Sequence, residues 1–407
     1  MPSPRFLQLH TLTSYPASLL NRDDAGFAKR IPFGGAVRTR VSSQCLKRHW
    51  RTSDDEHALS RIPLGDGAAP MSIRSRRTFE KYLLEPLKAG GIDPEVAREV
   101  AEGLLAVLLP EGKRKKASKK EKGEEESAGE HVRTEQVTVI GRPEVDYLLE
   151  LAREVAEVAA DAKDAGKRLA ERLKDRDLKA NLAALRLGAG LDAALFGRMT
   201  TGDVLARCDA AVHVAHAFTV HAGQFETDYF SAIDDLQEAG ETGSGHINTS
   251  ELTSGLFYGY VVLDLPLLVS NLTGCRRRDW EGADRELAAE VVRRLVHLLA
   301  TVSPGAKLGA TAPYAHAHLV LAEAGNAQPR TLANAFLDPV PERGMLAAAY
   351  RALGSHLEDL DTMYGRSTRR RLAALGLRDE LAGAVAEDDR GSLPELAQWA
   401  AARVRGE

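Results

Sequence analysis

The chain has 407 residues and a mass of 44.1 kDa, with 44% hydrophobic and 28% charged residues, a composition that supports a sizeable core in one large or two ordinary soluble domains. No apolar run approaches the roughly 18 residues that span a bilayer, and the N-terminus lacks a secretory apolar segment, so no membrane association is expected and the cytoplasm is the expected compartment. A net charge of −4 and a pI of 6.3 argue against a uniformly basic surface, and Cys45, Cys208 and Cys275 form no CxxC pair, which argues against a zinc finger or a disulfide framework.

From the N-terminus, residues 5–12 read as a strand, with Leu7 and Leu9 on one face and Gln8 and His10 on the other. Residues 21–51 then carry eight Lys/Arg against two Asp, a local +6 that leaves about −10 on the rest of a chain whose total is −4. Within that stretch Arg38, Arg40 and Ser42 alternate with Val37, Thr39 and Val41, the pattern of a strand with one cationic, phosphate-facing side and one side that packs. Ser42 and Ser43 are N-cap candidates for a helix beginning near Gln44, on which Lys47 and Arg51 lie four apart with Arg48 beside them. A helix start offers unpaired backbone N–H groups to an anion, and Gly34-Gly35 permits a close backbone approach. A solvated basic loop and helix is the competing reading, since charge alone does not identify a polyanion.

Residues 61–70, rich in Gly and Pro, read as a surface loop, followed by helical periodicity at 79–87 and 95–109. Residues 113–130 are of low complexity, with seven Lys/Arg in KRKKASKKEK and then Glu124 to Glu126. That composition buries too little apolar surface to offset chain entropy and reads as a flexible surface insertion. One helical pattern covers 145–173, its polar face holding Lys163, Lys167, Arg168 and Arg172 interleaved with Asp161, Asp164 and Glu171. Residues 211–221 and 256–265 are strand-like. The polar segment 222–253 between them is too long for an ordinary connection and reads as a functional excursion. An amphipathic helix over 285–302 ends at Pro304-Gly305, residues 315–321 read as a strand, and helices are expected over 345–363, 369–385 and 393–404. The interleaving of strands and helices indicates an α+β fold with helical insertions.

Enzymatic signatures are weak. On one strand, His216 would face away from His213 and His221, so the three do not converge on a metal, and no metal or other cofactor is expected. The PGAK at 304–307 follows a helix and lacks the spacing of a phosphate loop, and no GxSxG or HExxH occurs. Asp23 and Asp24 form an acidic pair beside the basic stretch. They either cap a turn and pair with Arg22, or hold a metal for RNA cleavage.

Several collinear motifs point further. LNRDD (20–24) and FGGxxRxRxSSQxLKR (33–48) are followed by GRM (197–199), AHAxTxH (215–221), AxDDLQExG (232–240), SGxFYxY (254–260), VHxLATxxPGAK (296–307) and ANAF (333–336). Together they resemble the CasC family, the multi-copy backbone subunit of the type I-E CRISPR surveillance complex called Cascade. The resemblance implies a ferredoxin-like palm related to the RNA-recognition motif, formed by 1–43 and 207–407 with C-terminal helices. It also implies helical fingers over 44–206, including the insertion 113–130, and a thumb hairpin over 222–253.

It assigns Arg22, Lys29, Ser42, Gln44, Lys47 and Arg51 to a groove for the crRNA backbone, which agrees with the cationic strand and helix start that include Arg38, Arg40 and Arg48. Lys307 matches the PGAK lysine of the family. Met199 is a flexible apolar side chain able to wedge between unstacked bases, and Tyr229, Phe230, His246 and Ile247 fall in the thumb that displaces guide bases. Asn248 stands where the family usually has glycine. Lys163, Lys167, Arg168 and Arg172 correspond to a helical lobe that meets target DNA.

The implied protein is not a nuclease. It polymerises head to tail along crRNA and is joined by a large subunit, a small subunit, a 5′-handle subunit and a crRNA-processing endonuclease, with a recruited helicase-nuclease doing the cutting. The alternative, a metal-dependent endoribonuclease using Asp23 or Asp24, follows from related backbone subunits that cut RNA with an aspartate in a palm loop.

Overall fold

The run FLQLHTLTSYPAS (Phe6–Ser18) forms β1 of the computed structural model, which describes residues 3–109, 132–174, 177–198, 204–205, 207–232, 246–376 and 378–407. There follow β2 (Arg30–Phe33), β3 (Ala36–Val41), α1 (Ser43–Thr52), β4 (Pro63–Leu64), β5 (Gly67–Ala68), β6 (Ser72–Ser75), α2 (Glu85–Ala89) and α3 (Pro94–Leu108). The middle of the chain contributes β7 (Thr138–Gly141), α4 (Arg142–Glu157), α5 (Ala162–Lys174), α6 (Asp177–Ala184), α7 (Leu191–Phe196), β8 (Val212–Val214), β9 (Ala217–Thr219), β10 (Gln224–Ala232) and β11 (His246–Asp264). The last part holds α8 (Leu265–Thr273), α9 (Glu286–Thr301), α10 (Leu308–Thr311), β12 (Ala317–Gly325), α11 (Met345–Tyr364), β13 (Thr368–Ala374) and α12 (Leu393–Arg405).

Two compact units result, one of Met1–Ile62, Val212–Pro266 and Arg285–Glu407, the other of Pro63–Ala211 and Leu267–Asp284. The second unit therefore starts at Pro63 and not at 44, because α1 packs within the first: Leu46 lies against Tyr15, Val41 and Phe257.

The first unit is built on one antiparallel sheet in the order β13-β12-β1-β11-β9-β3-β2, with β8 and β10 also pairing to β11. The long β11 serves two purposes. Its first half pairs with β10 as a ribbon, and its second half lies beside β1 from Phe6↔Asp264 to Tyr15↔Gly255. A bulge shifts the register before Ser18↔Thr253, where Ala17 takes a φ of 38°. Both faces of β1 are covered, so Gln8 and His10 are as buried as Leu7 and Leu9. Their polarity is met internally: Gln8 Oε1 accepts from Tyr260 Oη and the Arg330 amide, both at 2.8 Å, and His10 Nδ1 lies 2.9 Å from Tyr258 Oη.

Residues 369–385, expected as a helix, instead begin with β13, whose Arg370 is drawn fully under the sheet by Glu323 and Asp361. Strand pairing and buried ion pairs override the helix propensity of Arg, Leu and Ala here. The second unit closes around a core drawn from α3, α4 and α5. The single helix expected over 145–173 is two, because Asp161 caps the start of the second by accepting from the Asp164 amide at 2.8 Å. The expected loop 61–70 includes the short pair β4–β5. The expected insertion 113–130 lies outside the described residues. Among the described residues, no helix is long and apolar enough to cross a membrane.

On α9, His297 stacks on His57 at 3.8 Å between ring centroids, beneath a segment that Arg294 holds by donating to the Glu56 and Ala58 carbonyls at 3.3 and 2.9 Å. Burial, with the neighbouring His57 and Arg293, pushes His297 down to about 4, against the opposing pull of Glu56 and Asp55. A folded pKa below the unfolded value means that this contact stabilises fully above about pH 6.5 and loses its contribution as pH falls toward 4, a swing on the order of 3 kcal/mol. The melting temperature should therefore fall across that window, and a His297→Phe variant should show a flatter profile; parallel profiles would contradict the assignment.

Candidate nucleic-acid interface

The basic stretch folds as a loop, a hairpin and a helix tied to one another by backbone bonds. The Ser42 amide donates to Asn21 Oδ1 at 2.9 Å, the Lys29 amide to the Asn21 carbonyl at 3.0 Å, and the Arg40 amide to the Lys29 carbonyl at 2.8 Å. Ser42 caps α1 by accepting from the Cys45 amide at 3.3 Å. Ser42 is buried, and this bond uses a lone pair of its oxygen and not the O–H hydrogen.

Beyond the cap, Gln44 and Arg48 are exposed and Lys47 and Arg51 half-buried, spaced to share the outer side of α1 while Trp50 is buried. His49 joins this helix to the PGAK loop. Its Nδ1 donates to the Cys45 carbonyl at 2.8 Å, which leaves Nε2 to accept from the Gly305 amide at 3.4 Å. The Ala306 amide donates to the Leu19 carbonyl at 2.9 Å, so half-buried Lys307 is fastened close to the same loop and helix. Arg22, Lys29, Arg40, Lys47, Arg48, Arg51 and Lys307 thus belong to one connected piece of the first unit.

Arg38 departs from its expected role. Its side chain is 0% exposed and donates to the carbonyls of Phe33 (3.2 Å), Thr219 (3.1 Å), Phe336 (3.0 Å) and Leu337 (3.4 Å). Burial lowers its pKa from the ordinary arginine value. The cause lies in the sheet: β3 is covered on the side where Arg38 points, while Val37, expected to pack, is half exposed. Arg40 keeps partial exposure, its Nε donating to the Arg30 carbonyl at 3.2 Å and its Nη1 lying 3.1 Å from His216 Nδ1. Gly34, at φ +59°, is approached by the chain itself, since a Cβ there would meet the Leu337 carbonyl oxygen at 1.5 Å. The close approach is internal, not one to a ligand.

The acidic pair is also resolved in geometry. Asp23 Oδ1 accepts from the amides of Ala25 and Phe27 at 3.0 and 2.9 Å, an Asx turn, while Asp24 is exposed. Both border an open depression that also receives Lys29, Arg30 and Arg40. Two further residues had no sequence signal. Arg30 pairs with the buried Glu251, which also accepts from the Ala28 amide at 2.7 Å, and the Arg30 guanidinium sits 3.8 Å from the Phe225 ring centroid. These contacts join β2 to the base of the β10–β11 ribbon. Charges more than two hundred positions apart show no pattern in a linear sequence.

Tyr229 lies on that ribbon, 63% exposed and opposite Thr249, and Phe230, Ile247 and His246 take backbone positions on its two strands. Met199 lies outside the described residues. His213, His216 and His221 do not sit on one strand: β8 and β9 are separate, His216 turns to Arg40, and His221 is buried with Nδ1 donating to the Ala222 carbonyl at 2.7 Å. Lys163, Lys167, Arg168 and Arg172 are exposed on α5 of the second unit, where Arg168 pairs with Asp164 at 2.7 Å and Arg172 with Glu154 at 3.9 Å.

A protein-family model described as CT1975-like protein matches residues 7–399. A chain of a solved structure described as "CRISPR RNA-guided surveillance complex, pre-nicking" is 28% identical, with a TM-score of 0.74, over 98% of this chain and 100% of that one. A chain of another, "CRISPR RNA-guided surveillance complex", is 24% identical with a TM-score of 0.65, over 98% and 99%, a likeness of fold. No curated protein matches.

Arg38 offers a test of the local geometry. Arg38→Met should leave four carbonyls without their donor and destabilise the first unit by about 3 kcal/mol or more, whereas Arg40→Met should cost less than about 1 kcal/mol. Denaturant unfolding followed through hydrogen exchange in β3 separates the two; equal losses would contradict the burial of Arg38.

Proposed function

The chain belongs to the CT1975-like protein family, and on that footing we propose that it is a backbone subunit of a CRISPR RNA-guided surveillance complex, of the CasC kind found in type I-E Cascade, which holds guide RNA by its phosphates. The observation that carries this reading is the fastening of the PGAK loop onto α1 through His49, which gathers Lys307 with the cations of α1, Lys29 and Arg40. Such a surface suits a polyanion gripped without regard to base identity. The full-length likeness to a surveillance-complex chain supports the same assignment.

In the proposed assembly, copies of the chain follow the guide head to tail on a palm of the RNA-recognition type. The β10–β11 ribbon acts as the thumb, with Tyr229 available to contact unstacked bases. Target DNA is then read by pairing with the guide, α5 offering it Lys163 and Lys167. The large, small, 5′-handle and crRNA-processing subunits and a helicase-nuclease are the proposed partners, in the cytoplasm.

The protein is proposed to be non-catalytic. Support comes from Asp23, whose Oδ1 accepts from two backbone amides and so has a structural use in the turn.

Lys47→Ala with Arg51→Ala should weaken guide retention by about tenfold or more, for any guide sequence, and lower the slope of log affinity against log salt by about 1.4, roughly 0.7 for each single-strand phosphate that is no longer neutralised. Guide RNA that co-purifies undiminished with this variant would overturn the groove. Incubation of the assembled complex with complementary RNA and Mg²⁺ should yield no cuts; regularly spaced cuts abolished by Asp24→Ala would replace the non-catalytic reading with the endoribonuclease one.

A further inference from the structure

The short segment between β8 and β9 carries His216 at the surface of the first unit, beside the cations tied to α1. Its Nδ1 lies 3.1 Å from Arg40 Nη1. A guanidinium offers donors and no acceptor, so this contact is a hydrogen bond only when Nδ1 carries no proton. The imidazole is then neutral, with its single hydrogen on Nε2. Arg40 is steadied from its other side, where its Nε donates to the Arg30 carbonyl at 3.2 Å.

The charges around His216 act on that state. Partial desolvation lowers its pKa from the ordinary histidine value, and Arg40 of β3 and Lys29 of the loop before β2 lower it further. Lys29 and Arg40 border the same open depression as Arg30, Asp23 and Asp24, but Arg30 is paired with Glu251 and Asp23 serves its turn. On β11, whose Tyr260 carbonyl accepts from the Ala215 amide, burial raises the pKa of the Tyr260 phenol and keeps it neutral. His213 of β8 is the other exposed imidazole of this stretch. Two cations and a neutral base thus share one exposed place.

A phosphate oxygen set between Arg40 and a neutral His216 would meet a donor on one side and a repelling lone pair on the other. Protonation at Nδ1 turns that lone pair into a second donor and ends the bond to Arg40 Nη1, so that both groups can serve the anion. Without the anion, the imidazolium would stand against two cations; with it, those charges are offset. Anion and proton therefore favour one another.

We propose that His216 is a further residue of the guide-binding surface, engaging a backbone phosphate together with Arg40 as the imidazolium, so that the protein takes up a proton when it binds RNA. The proposal rests on the reading of this surface as one that holds guide RNA.

Calorimetry of the full chain with a 5′-hydroxyl oligouridylate, which has no group that titrates near neutral pH, tests this at about pH 7 in two buffers of unlike ionisation enthalpy. The heats should differ by the amount that net proton uptake requires, and affinity at fixed salt should rise by about threefold or more between about pH 8 and about pH 6. In His216→Gln, which keeps an acceptor for Arg40 but no titrating ring, both the uptake and the rise should be lost. His216→Lys, with a fixed cation at this position, should bind at about pH 8 without uptake and at least as tightly as the wild type. Uptake that persists in His216→Gln, or binding by the wild type without uptake, would overturn the proposal and leave the guide-binding reading standing. No RNA binding at all would overturn both.

Discussion

One guanidinium, that of Arg38, determines how the N-terminal hairpin sits on the sheet. It reaches four carbonyls: Phe33 at the turn of its own hairpin, Thr219 on β9, and Phe336 and Leu337 in the segment leading to α11. A cation in that position cannot be withdrawn without taking a donor from several carbonyls, of which those of Thr219 and Phe336 are met in buried bonds. Two neighbours depend on the same closeness. Gly34 has no room for a Cβ against Leu337, and the Val340 amide completes the seam by donating to the Val220 carbonyl at 3.0 Å. Once the hairpin is fixed, Ser42 follows directly from β3 and starts α1 in the direction that puts Arg48 outward and Trp50 inward.

The opposite edge of the sheet uses the same device with balanced charge. Glu323, wholly buried on β12, accepts from Arg330 at 2.6 and 3.0 Å, from Arg370 at 2.9 Å and from Thr368 at 2.9 Å, while Arg370 also pairs with Asp361 of α11 at 2.6 Å. Two carboxylates and two guanidiniums thus join β12, β13, α11 and the 330 segment. Burial lowers the pKa of His10 beside them, an effect larger than the opposing pull of Glu323. Networks of this sort hold only when every member is met, which makes the register of β13 against β12 specific.

These internal uses of arginine change where the surface is basic. Of the cations in 21–51, Arg38 is spent on the core and Arg30 on Glu251, so the charge left outward concentrates on α1 and the residues tied to it. A chain of net charge −4 can in this way carry a narrow cationic surface on an otherwise acidic body. Local concentration of charge, and not its total, is what the proposed grip on a phosphate backbone requires.

Much of this was legible in the linear sequence. Ser42 followed by a basic helix, the stripe of α9, the stop at Pro304-Gly305 and the β11 run of aromatic and β-branched residues are local signals, and local backbone preferences acted on them as expected. The collinear motifs likewise pointed to a Cascade-type protein, and the family match and the likeness of fold agree at that coarser level. What the sequence could not determine was which side of β3 would be covered, that β13 would pair with β12 where helix formers stand, and that Arg30 would meet Glu251. Each depends on residues far apart in the chain, where burial makes an unmet polar group costly enough to overrule the preference of the local segment.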